Sequence, residues 1–392
     1  LEAQVLGLLG TGAGHTAPPP PGVLPDRPVP RVLFFESLMN TDMPHNDREI
    51  SQGVLHMASP LSTMDTEVVL ANVKMPIQGA EREAWGLESL EAALAQGPVG
   101  LVCITLLEGY FDPVLRLIGE LRRLGCRARI AVGGVMPTLT PEHVAAHLPD
   151  VSFVCRGAGE VFVQQLAAVV GDTDIDTPLD AGQLGALLRM SGLIALDHDH
   201  VVMSDSARTV QVDDLDRMPL DLQHLQARHI EGGIEISTSR GCIHKCTFCS
   251  IIGREAYEAR SAGGVLDLLR QYEIRFAELF GDRVPHNAYR VHISDDDFAC
   301  DKHRAAAFFR ALPETRFRMS SVQVSVADLC RHDGTRLLEE VDPVLFDALS
   351  PTLFADAHRN IPERDFVADH KSRNWSSFLQ LGVETFSRRE LL

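Results

Sequence analysis

The chain has 392 residues, of which 45% are hydrophobic, enough for more than one hydrophobic core. Its formal net charge of −18 at pH 7 argues against nucleic acids and anionic membranes as partners, because both require a basic face. The longest apolar run, residues 99–107, is about half of a membrane span, so we expect no transmembrane helix. No signal peptide is visible, and the widely spaced cysteines outside one cluster read as buried free thiols, which predicts a reducing, cytoplasmic location.

Residues 1–30 are rich in proline and predict an extended, poorly ordered arm. Residues 31–170 then alternate between strand-like and helix-like segments. Strands are predicted at residues 31–36, 66–72, 99–105, 129–132 and 151–155, and helices at residues 49–64, 87–96, 112–124, 141–148 and 161–170. Regular βα alternation predicts an α/β domain of the flavodoxin or Rossmann type, in which ligands bind at the carboxyl ends of the parallel strands.

Residues 171–230 predict a linker, within which residues 192–203 form a hairpin with a polar tip. Residues 231–392 predict a second α/β domain with repeated βα units and polar residues at the strand ends, as in a TIM-like barrel. Its strands are predicted at residues 233–239, 289–293, 316–326 and 378–384, and its helices at residues 263–281, 302–312 and within 334–349. Phe308, Phe309 and Phe317 are predicted to be core residues.

Three cysteines follow the first strand of the second domain with the spacing C-x3-C-x2-C, namely Cys242, Cys246 and Cys249. Thiolates are soft ligands, so this cluster indicates iron–sulfur or zinc rather than disulfides. Three thiolates are one short of the usual four, and a cluster held in this way keeps one iron open. Zinc, with His244 or a distant residue as the fourth ligand, is the alternative, although no second pair of ligands with zinc-finger spacing follows.

The cysteine spacing, with Arg240-Gly241 before it and a phenylalanine before the third cysteine, resembles the radical S-adenosylmethionine (SAM) superfamily. The preceding domain carries Gly133-Gly134 and the segment Arg156-Gly157-Ala158-Gly159-Glu160, which resemble the cobalamin-binding radical SAM family of the class B methyltransferase type. The resemblance implies a [4Fe–4S] cluster on the three cysteines, SAM on the open iron, and cobalamin in the first domain. The classical D-x-H-x-x-G motif is absent, so no histidine is predicted as the lower axial ligand.

For SAM, the resemblance implies contacts from Phe248, from Asp295 or Asp296, and from Glu384 in a G-V-E segment. The alternative for the aspartates is a solvated turn with a helix N-cap. Gln323 and Ser325 alternate along the third strand and are further candidates for the ribose or carboxylate of SAM. For cobalamin, the residues implied are Thr105, Gly133, Gly134, Gly157, Gly159 and Glu160. Without the resemblance, these glycines would be read as plain turns after strands.

The implied function is reductive cleavage of SAM to a 5′-deoxyadenosyl radical, followed by methylation of an unactivated carbon in a small-molecule or peptide substrate. A flavodoxin or ferredoxin would supply the electron. Three alternatives stay open: a cobalamin enzyme that cyclises or rearranges its substrate, a radical SAM enzyme without cobalamin, and a non-catalytic iron–sulfur carrier. Barrels of this superfamily usually have six βα units, so the four predicted here indicate a truncated chain.

Overall fold

The computed structural model describes residues 30–36, 50–73, 86–171, 173–198, 200–204, 214–244, 246, 249–250, 257–332, 337–354 and 378–382. The chain divides into two compact units. The first comprises Leu1–Asp213 with Pro219–Asp221, and the second comprises Asp214–Met218 with Leu222–Leu392. Both are mixed α/β structures built around mainly parallel sheets, which confirms the predicted α/β class.

The first unit contains a seven-stranded sheet with helices along the connections. Its strands are β1 (Arg31–Phe35), β2 (Glu67–Ala71), β3 (Leu101–Thr105), β4 (Arg129–Gly133), β5 (Phe153–Cys155), β6 (Leu193–Asp197) and β7 (His200–Met203). Its helices are α1 (Gln52–Ser62), α2 (Glu88–Ala95), α3 (Phe111–Arg123), α4 (Val135–Leu139), α5 (Pro141–His147), α6 (Gly159–Val170) and α7 (Ala181–Leu188). The order is β2-β1-β3-β4-β5-β6-β7, and the first five strands are parallel, which is the strand order of flavodoxin-like sheets.

Both faces of this sheet are covered, as the continuous apolar runs predict. Leu33, Val102 and Ile130 pack into the core on one face. Their neighbours Val32 and Leu101 pack into a second core on the other face. Side chains alternate along a strand, so an unbroken apolar run is what a doubly covered strand requires.

The hairpin predicted within the linker is present, and it extends the first sheet. Strand β6 pairs antiparallel with β5, and β7 pairs antiparallel with β6. Helix α7 precedes the hairpin and was not predicted. Its N-cap Asp180 and Gln183 form a reciprocal capping box, a local signal that the sequence interpretation missed.

The second unit contains a four-stranded parallel sheet in the order β15-β12-β11-β8. The four strands therefore lie side by side in the order in which they occur along the chain. Its strands, together with those of two small antiparallel pairs, are β8 (Ile234–Ile236), β9 (Ser239–Arg240), β10 (Glu258–Ala259), β11 (Arg290–Ile293), β12 (Arg318–Ser325), β13 (Cys330–His332), β14 (Leu337–Val341) and β15 (Phe378–Gly382). Its helices are α8 (Ala262–Phe280), α9 (Lys302–Ala311), α10 (Val326–Leu329) and α11 (Pro343–Phe354). The β13–β14 hairpin was not predicted. Because β14 extends to Val341, the helix predicted within residues 334–349 begins only at Pro343.

The two faces of the second sheet differ in polarity. Ile236, Ile293 and Val322 lie on the buried apolar face, and the predicted core residues Phe308, Phe309 and Phe317 are at most 3% exposed. The opposite face carries Glu235 and His292, which pair across β8 and β11. A βα barrel has the same division, with one face of the sheet packed against helices and the other turned inward. Among the described residues, no helix is long and apolar enough to cross a membrane.

Candidate functional site

The candidate site of the second unit lies where parallel strands end. Because β8, β11, β12 and β15 are parallel, their carboxyl ends meet at one edge of the sheet. The cysteine loop follows β8 through β9, the aspartates at residues 295–297 follow β11, and β12 ends at Ser325. Groups that are far apart in sequence thus converge at this edge.

The three motif cysteines belong to one loop and differ in burial. Cys242 is buried, whereas Cys246 and Cys249 are half-buried. The Cys249 amide donates to the Cys246 carbonyl oxygen over 3.2 Å, and the His244 amide donates to the Cys242 Sγ over 3.5 Å. Burial raises the pKa of Cys242, so its thiolate form requires a nearby positive charge such as a metal. Three thiols from one loop fit a cluster that keeps one iron open.

Asp295 fastens the start of the cysteine loop to the end of β11. Its Oδ1 accepts from the amides of Thr238 (2.5 Å) and Ser239 (3.0 Å). Its Oδ2 accepts from the hydroxyls of the same two residues, at 2.5 and 2.7 Å. The Asp295 carboxylate is fully buried, and the Arg304 guanidinium lies 3.7 Å from it. Both oxygens are therefore engaged within the protein, which favours a positioning role over direct contact with SAM.

Arg304 ties the same region together from helix α9. It donates to the carbonyl oxygens of Arg260 (2.6 Å) and Thr238 (3.1 Å) and also reaches the Thr238 hydroxyl. Its guanidinium lies 4.8 Å from the centre of the Phe298 ring. A buried guanidinium needs such partners, because an uncompensated buried charge is costly. Arg304 and Asp295 together hold the end of β8 in place.

Asp296 lies beside Asp295 but is exposed at the strand edge. Partial enclosure of its carboxyl group, together with the negative charge of Asp295, raises the pKa of Asp296 to about 6. An exposed carboxylate is free to face an ammonium group, a charge-assisted interaction. Of the two predicted aspartates, Asp296 is thus the one available to a ligand.

Asp297 turns back into the protein and meets His244 and Asp328. The Nε2 atom of His244 lies 3.2 Å from Oδ2 of Asp297 and 3.0 Å from Oδ2 of Asp328. The Asp297 carboxylate also accepts from the amides of Ala299 (3.0 Å) and Ser325 (3.2 Å). Burial and the adjacent Asp328 raise the pKa of Asp297 well above its ordinary range.

Cys300 completes a group that the sequence did not indicate. Its Sγ lies 3.9 Å from the Sγ of Cys242. Cys242, His244, Asp297 and Cys300 each offer one ligand atom, and these atoms lie within 4.8 Å of one another. The sequence placed Cys300 among the free thiols outside the motif and named His244 as a possible fourth zinc ligand, and the structure brings both beside Cys242. Cys300 follows Asp297 by three residues in a segment read only for its carboxylates.

Two of the four remaining candidates for SAM contacts lie within the described residues. Gln323 is exposed on β12, and Ser325 is half-buried with its amide engaged by Asp297. Phe248 and Glu384 lie outside the described residues. The contacts of these four residues with SAM stay predictions.

The candidate cobalamin residues gather at one edge of the first sheet. Thr105 and Gly133 are paired at the ends of the parallel strands β3 and β4. Thr138 joins the loops that follow β4 and β5, since its hydroxyl donates to the Gly134 carbonyl oxygen (2.6 Å) and accepts from the Gly157 amide (3.0 Å). This edge is where ligands of doubly wound sheets bind.

Backbone conformation explains the glycine at position 134 and close packing explains the one at position 159, but neither explains Gly133. Gly134 has φ 105° and ψ −161°, a conformation that essentially only glycine adopts. A Cβ atom on Gly159 would lie 2.7 Å from the Sδ of Met57. A Cβ atom on Gly133 would make only an ordinary contact of 3.9 Å with Cys155. The missing side chain at Gly133 is thus consistent with space kept for a ligand. Glu160 lies in the first turn of α6, also at this edge.

Comparisons with known proteins give one distant similarity. No protein-family model matches the chain. Part of the chain is similar to an anaerobic magnesium-protoporphyrin IX monomethyl ester cyclase from Synechocystis sp., with 27% identity over 135 residues. The match covers 33% of this chain and 24% of the cyclase, so it spans about a quarter of that protein. A match of this identity and length shows a distant relative and does not assign the chain to a family.

Proposed function

We propose that this chain is a radical SAM enzyme with a corrinoid-binding first unit. The observation that carries the proposal is the placement of the C-x3-C-x2-C loop at the carboxyl end of β8, beside the carboxylates that follow β11. The partial similarity to an anaerobic cyclase supports an enzyme, and the anaerobic character of that relative agrees with the oxygen sensitivity of an iron–sulfur cluster. A non-catalytic electron carrier would have no use for Asp296 beside its cluster.

Cys242, Cys246 and Cys249 would hold the cluster, which when bound supplies the electron that cleaves SAM to methionine and a 5′-deoxyadenosyl radical. Asp296 would bind the ammonium group of SAM. Asp295 would keep the loop in register through Thr238 and Ser239. The polar face of the second sheet, which carries Glu235, His292 and Gln323, would orient the substrate.

The reaction that follows SAM cleavage has two candidate forms. A methyl transfer would use cobalamin at the edge formed by Thr105, Gly133 and Gly157. A ring closure or rearrangement has equal support, because the relative is a cyclase. We propose a small-molecule or peptide substrate in either case. We also propose a flavodoxin or ferredoxin as electron donor.

The test is to express the chain with hydroxocobalamin supplied, purify it anaerobically and record its absorption spectrum. SAM and dithionite are then added, and 5′-deoxyadenosine and methionine are measured by mass spectrometry. We expect a corrinoid spectrum, a [4Fe–4S] spectrum and 5′-deoxyadenosine. Absence of 5′-deoxyadenosine from protein with an intact cluster would refute the radical SAM assignment, and absence of corrinoid would refute the role of the first unit.

Two cysteine variants sharpen this test. Cys246→Ala should lose both the cluster and SAM cleavage while it retains corrinoid. Cys330→Ala is the matched control, because it removes another half-buried thiol of the second unit that lies outside the motif. Loss of the cluster in both variants to the same extent would contradict the assignment of the motif cysteines. Isotope-labelled SAM then separates the two reactions, since only methylation transfers the labelled methyl group to a product.

A further inference from the structure

We propose that Cys242, His244, Asp297 and Cys300 form a site for one divalent transition-metal ion, with zinc as the favoured occupant. The cluster and this ion would compete for Cys242. The competition rests on the function proposed above, whereas the single-ion site rests only on the geometry of its four residues.

Two of the distances within this group match those across a tetrahedral ion. Zinc–sulfur bonds are about 2.3 Å long, so two thiolates on one tetrahedral zinc are about 3.8 Å apart. The Sγ atoms of Cys242 and Cys300 are 3.9 Å apart. Zinc bonds to nitrogen and oxygen are about 2.1 Å long, which places such atoms about 3.4 Å apart. Nε2 of His244 and Oδ2 of Asp297 are 3.2 Å apart.

The chemistry of the four residues also suits such an ion. Two thiols, an imidazole and a carboxyl group are the common zinc ligands. Cys242 and Asp297 are buried, at 7% and 3% exposure, so their ionised forms are costly without a cation. Asp328 lies 3.0 Å from the same Nε2 atom of His244, so metal binding would replace that hydrogen bond and leave the Asp328 carboxylate as a further negative charge beside the ion. Zinc ranks above iron and cobalt in the affinity order for divalent metals, which makes it the favoured occupant.

The set differs from the cluster ligands in a way that can be tested. Cys300 lies outside the C-x3-C-x2-C motif, and Cys246 and Cys249 lie outside the four-residue group. Cys242 belongs to both sets, so an ion held by the four-residue group would occupy a thiolate that the cluster needs. Zinc bound first should therefore block assembly of the cluster.

The experiment uses cobalt(II) as a spectroscopic probe on the whole chain, purified anaerobically and stripped of metal. Tetrahedral cobalt with thiolate ligands gives a near-ultraviolet charge-transfer band and strong visible bands. We expect one cobalt per chain, with affinity lowered more than about tenfold in Cys300→Ser, because even loss of an outer-shell partner costs about 10–100-fold. Cys246→Ser should bind cobalt like the parent. Cluster reconstitution should show the reverse pattern, failing in Cys246→Ser and succeeding in Cys300→Ser.

Unchanged cobalt affinity in Cys300→Ser, or loss of the cobalt bands in Cys246→Ser, would overturn the proposal. His244→Gln provides a second variant at a half-buried position, should Cys300→Ser fail to fold as judged by circular dichroism. It should lower cobalt affinity and shift the visible bands, and an unchanged spectrum would count against the site. Cobalt binding without any reconstituted cluster would leave this site standing and refute the proposed function. A cluster without cobalt binding would do the opposite.

Discussion

Asp295→Asn separates a positioning role from direct SAM binding. The substitution preserves shape but removes the charge that faces Arg304, and it replaces one acceptor oxygen with an amide that cannot accept. Breaking a buried charged pair by removing one partner costs about 3–5 kcal/mol. The amides of Thr238 and Ser239 share Oδ1, which asparagine retains. The oxygen that is replaced is Oδ2, which accepts from both hydroxyls and faces Arg304, so a donor group would there meet other donors. We therefore expect the end of β8 to open more readily.

Hydrogen exchange read by mass spectrometry measures this opening locally, which suits a chain of two units. A local loss of about 3 kcal/mol corresponds to roughly a hundredfold faster exchange, at 1.36 kcal/mol per factor of ten. We expect this in peptides that contain Thr238 and Ser239, in the absence of cluster and SAM. Peptides from β1 in the first unit are the internal control. Unchanged exchange at Thr238 and Ser239, combined with lost SAM binding, would refute the positioning role and make Asp295 a SAM ligand.

Three further predictions test the remaining assignments. The affinity of the cluster-bound chain for SAM should rise between pH 5 and pH 7, because the Asp296 carboxyl group has a pKa of about 6 and becomes negatively charged over that range. Asp296→Asn should flatten this pH dependence in calorimetric titrations. Gly133→Ala should weaken corrinoid binding without lowering the melting temperature. Gly134→Ala should instead lower the free energy of unfolding in urea by about 1–3 kcal/mol even without corrinoid. An equal loss of stability in both variants would contradict the ligand role of Gly133. Asp197→Ala breaks the fully buried ion pair with Arg129 (2.9 Å) and should destabilise the first unit by about 3–5 kcal/mol. Asp176→Ala breaks the exposed ion pair with Arg127 and should cost less than about 1 kcal/mol in the same urea-unfolding assay.

The sequence was sufficient for elements that carry a periodic signal. Strands β3 and β4 and helix α3 were predicted to within about two residues, because apolar periodicity follows directly from burial. Helix α7 was not predicted because its sequence signal is an N-terminal capping box and not an apolar stripe. The β13–β14 hairpin was not predicted because neither strand has a strong alternation of apolar and polar residues. The sheet membership of the predicted hairpin depends on pairing with β5, which the sequence does not encode locally.

Candidate site residues can be proposed from the sequence where they form a local pattern, and not where they meet only through long-range contacts. The three motif cysteines lie within eight residues, so their spacing alone marks them. Cys300 is 58 residues from Cys242 and joins it only through the parallel pairing of β8 and β11. His244 meets Asp328 across 84 residues. No local pattern distinguishes such residues from ordinary core cysteines or surface histidines.

The three consecutive aspartates after β11 show how one short segment divides its tasks. The chain bends at Asp296 just after β11, and Asp295 and Asp297 are buried while Asp296 is exposed. Asp295 fixes the end of β8, and Asp297 joins His244 and Asp328. A single exposed carboxylate can recognise an ammonium group reliably only if the strand end that carries it is rigid. The hydrogen bonds of the two buried aspartates restrain this strand end, so under the proposed function they would hold the exposed Asp296 carboxylate in place for the ammonium group.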